Sequence, residues 1–251
     1  MTLALGGFFL WGTAEASVIE ETRAQVFCGF NEKLAELTKV QNGATTDSLQ
    51  KIRDELAVRK ELLSLIIDCS VKEAELLKTK LDAVKIKDKA LAEIQEKTQI
   101  EISLAIDYYE DQTLGIQDLG VQGSKILAKK IFDWRASNYS ELVGRVVNLI
   151  TWNNAEEFLV VAEKRFLEVS LGISGIKEES DKVGKVLEEA RVSLEKSRGL
   201  VESSKKAILE YAPNTKVIED IKEALEKLAL TYKSFFEMGQ VIKDETLKKI
   251  E

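Results

Sequence analysis

Four adjacent carboxylate pairs, Glu20-Glu21, Glu156-Glu157, Glu178-Glu179 and Glu188-Glu189, come nearest to acid–base chemistry in type and spacing. General acid–base work needs carboxylates that converge on one atom in a concave, partly desolvated site. Neighbouring side chains on a helix point about 100° apart, so these pairs read as solvated surface. Serine and threonine are plentiful, but the chain has no histidine. The usual base of a nucleophilic triad is therefore missing, and no local motif supports a Ser-Lys arrangement. The run from Gly115 to Gly120 lacks a phosphate-cradling pattern and follows a helical stretch where a dinucleotide fingerprint would follow a strand; it reads as a connection. Asn138-Tyr139-Ser140 matches the glycosylation triplet by letters alone. These residues predict a non-enzymatic protein with no cofactor and no metal site.

Cys28 and Cys69 are the only cysteines. In an oxidising compartment an even count invites a disulfide. If the chain reverses at Asn42-Gly43, however, Cys28 lies opposite residue 60, roughly 13 Å short of Cys69 at a helical rise. A bond needs Cα atoms within about 7 Å. Unwinding around Gly29 would close part of the gap, so two readings stay open: a Cys28–Cys69 disulfide, or two thiols packed as small apolar residues.

Residues 3–12 form an apolar stretch, and Ala14-Glu15-Ala16 supplies the small-x-small pattern read by a signal peptidase. Residues 1–16 are accordingly read as a signal peptide cleaved between Ala16 and Ser17, and the protein as exported: periplasmic, cell-surface or secreted. No Lys or Arg precedes the stretch. Either the true start lies upstream, or the segment is an anchoring or buried helix. Beyond Ala16 the longest uncharged run is the ten residues 146–155, so no later segment predicts a stable transmembrane span.

The formal charge is −7, with acids and bases interleaved along helical faces instead of gathered into a positive stripe. That pattern speaks against nucleic acid, which needs clustered cations to displace counterions.

The elements that must position these residues are helices. One proline, Pro213, occurs in 251 residues, and apolar positions recur at three- and four-residue spacing. The first helix is expected over 18–41, closed at Asn42-Gly43 by a left-handed glycine. Thr45 or Thr46 caps a second that runs unbroken for about 65 residues, some 100 Å, to Gly115. A third covers about 124–150 and is itself divisible at the capping-box pattern Asn138/Glu141. A fourth starts at Asn154 and runs to Tyr211, with Gly172 and Gly175 as a hinge, and a fifth covers about 216–250. Trp134, Tyr139, Trp152 and Phe158 are expected to fill a core.

The fold class is thus all-α: about five long antiparallel helices in an elongated, coiled-coil-like bundle. Its parts are the signal peptide (1–16), an N-terminal hairpin with a very long second helix (17–112), a three-helix middle (113–171) and a C-terminal hairpin (172–251). Unequal lengths and short turns favour a staggered rod; a bend at Gly172 and Gly175 would fold the last hairpin back. The expected function is that of a structural or protein-interaction spacer or scaffold of the cell envelope, binding a protein partner or self-associating along its seams. The alternative is a membrane-active, pore-forming type of helical protein.

Overall fold

The computed structural model describes residues 30–43, 47–174 and 180–248, which are all-helical with no strand among them. The helices are α1 (Phe30–Asn42), α2 (Ser48–Asp82), α3 (Lys89–Asp111), α4 (Val121–Trp134), α5 (Ser140–Gly172), α6 (Asp181–Leu209) and α7 (Asn214–Lys248). A π-helical segment, Arg135–Tyr139, joins α4 to α5 without a break, so the described chain forms six helical rods where five were expected.

Three departures account for the new count. The expected 65-residue second helix stops at Asp82 and restarts at Lys89. Between them Val84 and Ile86 alternate with Lys85 and Lys87, a period-two pattern of β-branched residues that resists helix. The ends are closed by side chains: Gln95 donates to the carbonyls of Leu81 and Val84 at 2.7 and 2.9 Å, and the Asp88 carboxylate accepts from the Leu91 N–H at 3.1 Å. Second, no turn occurs at Asn153-Asn154. Each asparagine costs a helix interior only about 0.6 kcal/mol, and burial of Trp152, Ala155 and Leu159 outweighs that. Third, α5 ends at Gly172, and α6 begins after Ser180, whose hydroxyl accepts from the Val183 N–H at 3.4 Å. The long fourth helix is therefore two, and two premises of the staggered rod, the unbroken second helix and the turn at Asn153, do not hold.

Smaller corrections concern the caps. Asp47, not Thr45 or Thr46, caps α2, accepting from the N–H groups of Leu49 and Gln50 at 2.9 and 3.2 Å. The helix does end at Asn42, but among the described residues the one glycine with positive φ is Gly115, at 79° in the connection before α4.

The chain divides into two compact units. One comprises Ile86–Leu91 with Asn148–Glu251. Within it, α6 buries Val183, Leu187, Ala190, Leu194, Ser197, Val201 and Ser204, and α7 buries Val217, Ile221, Ala224, Leu228, Thr231, Ser234 and Met238. Both rows step by three and four residues, the spacing of a helix that buries one seam. The helices run antiparallel, since Ser203 meets Asp220, Ser197 meets Ala224 and Leu187 packs in one cluster with Met238. One side of the α6 seam is small (Ala190, Ser197, Ser204), which lets the two backbones approach closely. Trp152, Leu159 and Ala162 of α5 supply a third apolar row.

The other unit contains the described part of Ala16–Lys85 together with Ala92–Val147. Here α2 buries Leu63, Ile67, Ser70, Ala74, Leu77 and Leu81, again at alternating four- and three-residue steps. α3 runs antiparallel to it: Gln99 donates to Asp82 at 2.6 Å and Lys78 to Ser103 at 2.9 Å.

Candidate functional site

The densest meeting of polar and aromatic side chains lies in the second unit, around the π segment. An uninterrupted α-helix would carry the buried row of α4 from Ile131 to Arg135 and Asn138. The wider π turn instead brings Tyr139 into the core with Leu142 and Val146 and leaves Asn138 exposed. Its loosened carbonyls are taken by the local polar run: Asn138 donates to the Trp134 carbonyl at 3.2 Å, Ser137 to Asp133 at 2.8 Å and Ser140 to Arg135 at 3.1 Å. The residues that resemble a capping box thus stabilise a bulge inside one helix and do not start a new one.

The bulge sets Trp134, Arg135 and Tyr139 against two tyrosines of α3. Trp134 stacks on Tyr108 with centroids 3.9 Å apart, and Tyr109 meets Trp134 and Tyr139 edge-on at 5.2 and 5.7 Å. The Arg135 guanidinium lies over the Tyr139 ring at 4.8 Å, donates to Glu73 of α2 at 2.6 Å and reaches the Tyr109 hydroxyl at 3.5 Å. Burial pushes the phenols of Tyr109 and Tyr139 upward in pKa, Tyr139 strongly. Burial opposes the charge on Arg135, but Glu73 more than restores it. The arrangement thus holds both phenols neutral and carries the Glu73–Arg135 ion pair. What it does is pin α2, α3 and the π segment together.

Two clefts lie elsewhere. A groove of about 740 Å³ runs along α2 from Lys33 to Gln117, floored by Leu56, Ala57 and Leu65. Two of its lining cations are engaged: Lys33 pairs with Glu36 and Glu61 at 2.9 and 2.5 Å, and Lys60 donates to the Gln117 carbonyl. A second cleft, in the first unit, is lined by Phe166, Ser170, Leu187 and the Glu188–Arg191 ion pair.

The sequence-derived candidates fall as follows. Cys69 is buried; Cys28, Ala16, Ser17 and Gly175 lie outside the described residues, as do Glu20, Glu21, Glu178 and Glu179. Gly172 closes α5, and a Cβ there would meet nothing within 4 Å. Glu156 and Glu157 stand in mid-helix and not at a helix start. Tyr139 and Trp152 are core residues, whereas Phe158 is 43% exposed and does not fill the core expected of it. Among the described residues no group of three or more acids or cysteines is placed to hold a metal ion. The Glu73–Arg135–Tyr139 cluster escaped sequence reasoning because Glu73 on α2 is 62 residues from Arg135 on the π segment; the polar run 137–140 was its only local sign.

Comparison of the chain with protein-family models, curated proteins and solved structures finds no match.

Proposed function

We propose that this chain is a non-enzymatic structural or protein-interaction protein, a helical scaffold of the cell envelope. The observation that carries this reading is a division of labour between polar and apolar groups. Three polar side chains inside the first unit reach across to other helices: Trp152 donates to the Val201 carbonyl at 3.2 Å, Asn148 to Asn214 at 2.7 Å and Ser197 to the Ala224 carbonyl at 2.9 Å. Large apolar side chains meanwhile stand on outer faces, Phe132 at 71% exposure and Leu171 at 76%, as binding surfaces require. The alternating three- and four-residue seams of α6 and α7 support coiled-coil-like packing as the finer description of the fold.

Export is supported by the small-x-small pattern at Ala14-Glu15-Ala16. N-terminal sequencing of material from the native cell is expected to begin at Ser17; an intact Met1 on exported protein would overturn the cleavage. The scaffold role is tested by capturing the chain from its own compartment, with a stoichiometric protein partner as the expected result. No described helix is long and apolar enough to cross a membrane. Leakage of liposomes treated with the purified chain would instead favour the membrane-active, pore-forming reading.

A further inference from the structure

The outer face of α5 departs from what a solvated helix carries. Its buried row is Trp152, Ala155, Leu159 and Ala162. Away from it, where a bundle helix turns charge to water, stand Val160, Leu167 and Leu171, with Val161 on the adjoining flank, exposed by 53, 62, 76 and 56%. Val160, Leu167 and Leu171 follow the i, i+7, i+11 spacing that puts side chains in line along a helix. Together the four side chains present on the order of 400 Å² of apolar surface, at the size where a patch on a monomer is often functional. A standard interface buries roughly 800 Å² per partner, a little over half of it apolar. The face therefore supplies about what one side of a modest interface needs.

The charges on this face select the occupant. Lys164 and Glu168 lie between and beside the apolar positions. Turning a second copy of the helix end for end about position 166 exchanges 164 with 168 and 161 with 171. Each lysine then meets a glutamate, each Val161 meets a Leu171, and Leu167 falls beside its own counterpart. A parallel arrangement would set lysine on lysine and glutamate on glutamate. Glu168 already pairs with Arg165 of the same helix at 3.0 Å, with both groups about half exposed; such a surface pair is held weakly enough to share its carboxylate.

We propose that the face formed by Val160, Val161, Leu167 and Leu171 is a self-association surface on which a second copy of this chain docks antiparallel, as an isologous two-fold pair. The inference deepens the interaction reading by naming a partner and a surface, and it rests on that reading.

Sedimentation velocity of the full chain over a concentration series is expected to show a monomer–dimer equilibrium. Leu167→Glu abolishes the dimer while leaving the thermal melt unchanged at concentrations where the wild type is monomeric, because the side chain is outside the core. Lys164→Glu weakens association, and the double reversal Lys164→Glu with Glu168→Lys restores it. Leu167→Cys, lying next to its own copy, forms a crosslinked dimer under mild oxidation, whereas Phe132→Cys on α4, equally exposed, does not. A wild-type chain that stays monomeric throughout, a Leu167→Glu variant that still dimerises, or crosslinking at Phe132→Cys as efficient as at Leu167→Cys would each overturn the proposal. A monomer that nevertheless captures a stoichiometric protein from its compartment would remove this interface and leave the scaffold reading standing.

Discussion

The Ser197 hydroxyl of α6 donates to the Ala224 carbonyl of α7 at 2.9 Å, with both residues fully buried. A side chain as short as serine can reach a neighbouring helix's backbone only where the two backbones lie close. The small residues Ala190, Ser197 and Ser204 are therefore a requirement of this hairpin, and an apolar-content reading would undervalue them.

Ser197→Leu is accordingly expected to destabilise the protein by about 1–3 kcal/mol, although it adds apolar surface, because the larger side chain forces the helices apart. Ser197→Ala should cost no more than about 1 kcal/mol, since the Ala224 carbonyl keeps its place in the helical ladder. Urea melts of the two variants check this; a Leu variant at least as stable as the wild type would show that the close approach is not needed.

The Glu73–Arg135 pair, with side chains 14% and 33% exposed, should behave as a partly buried ion pair. Glu73→Ala leaves the guanidinium without its carboxylate and is expected to cost about 2 kcal/mol, while Glu73→Leu combined with Arg135→Met should recover most of that loss. A double-mutant cycle by chemical denaturation measures the coupling. If the single and double variants are equally destabilised, the pair does not hold the π segment.

Leu81→Asp and Leu77→Asp, each placing a charge in the buried row of α2, should lower stability by several kcal/mol. Lys78→Asp, on the half-buried flank, gives up the hydrogen bond to Ser103 and should cost about 1 kcal/mol or less. Thermal melts ranking the three alike would mean that a different face is buried.

Two carboxylates of the first unit should respond to pH with opposite sign. Burial raises the Glu156 pKa, helped by Glu202 and Glu163 and opposed by Lys205. The unfolded chain then ionises at lower pH than the folded one, so this contribution falls as pH rises from the ordinary carboxylate range to the folded pKa. A hydrogen bond from Lys205, at 2.7 Å, lowers Asp88 despite its burial. Its stabilisation is present above the ordinary carboxylate range and is lost as pH falls through the depressed value. At neutral pH Glu156→Gln should raise Tm and Asp88→Asn lower it, the asparagine keeping an oxygen for the Leu91 N–H. Both differences should shrink on acidification. Tm profiles in which the two variants shift in the same direction would contradict the assignment.

The all-helical character was legible in the sequence, because a chain with a single proline and apolar residues at three- and four-residue spacing has few other ways to bury them. The faces were legible in part: on that spacing Leu77, Leu81, Val217, Ile221 and Leu228 are buried, whereas Phe30, Leu34, Leu49 and Ile52, which the same spacing assigns to seams, are exposed. Helix ends were less so. Asn153 and Asn154 carry strong local stop signals, yet α5 runs through them because Trp152 finds the Val201 carbonyl 49 residues away and its neighbours bury apolar surface. The stretch 83–88 lacks glycine and proline, yet the helix stops there, its ends closed by Gln95, Asp88 and Lys205, which are distant or unremarkable in sequence. The π segment belongs to the same class: its polar run is local, but the extra residue is useful only because Glu73 and Tyr109 are present to receive Arg135 and Tyr139. Periodicity is a property of one helix and can be read from one stretch of chain. Where a helix stops, and what its polar side chains are for, depends on partners that only the folded chain brings within hydrogen-bonding distance.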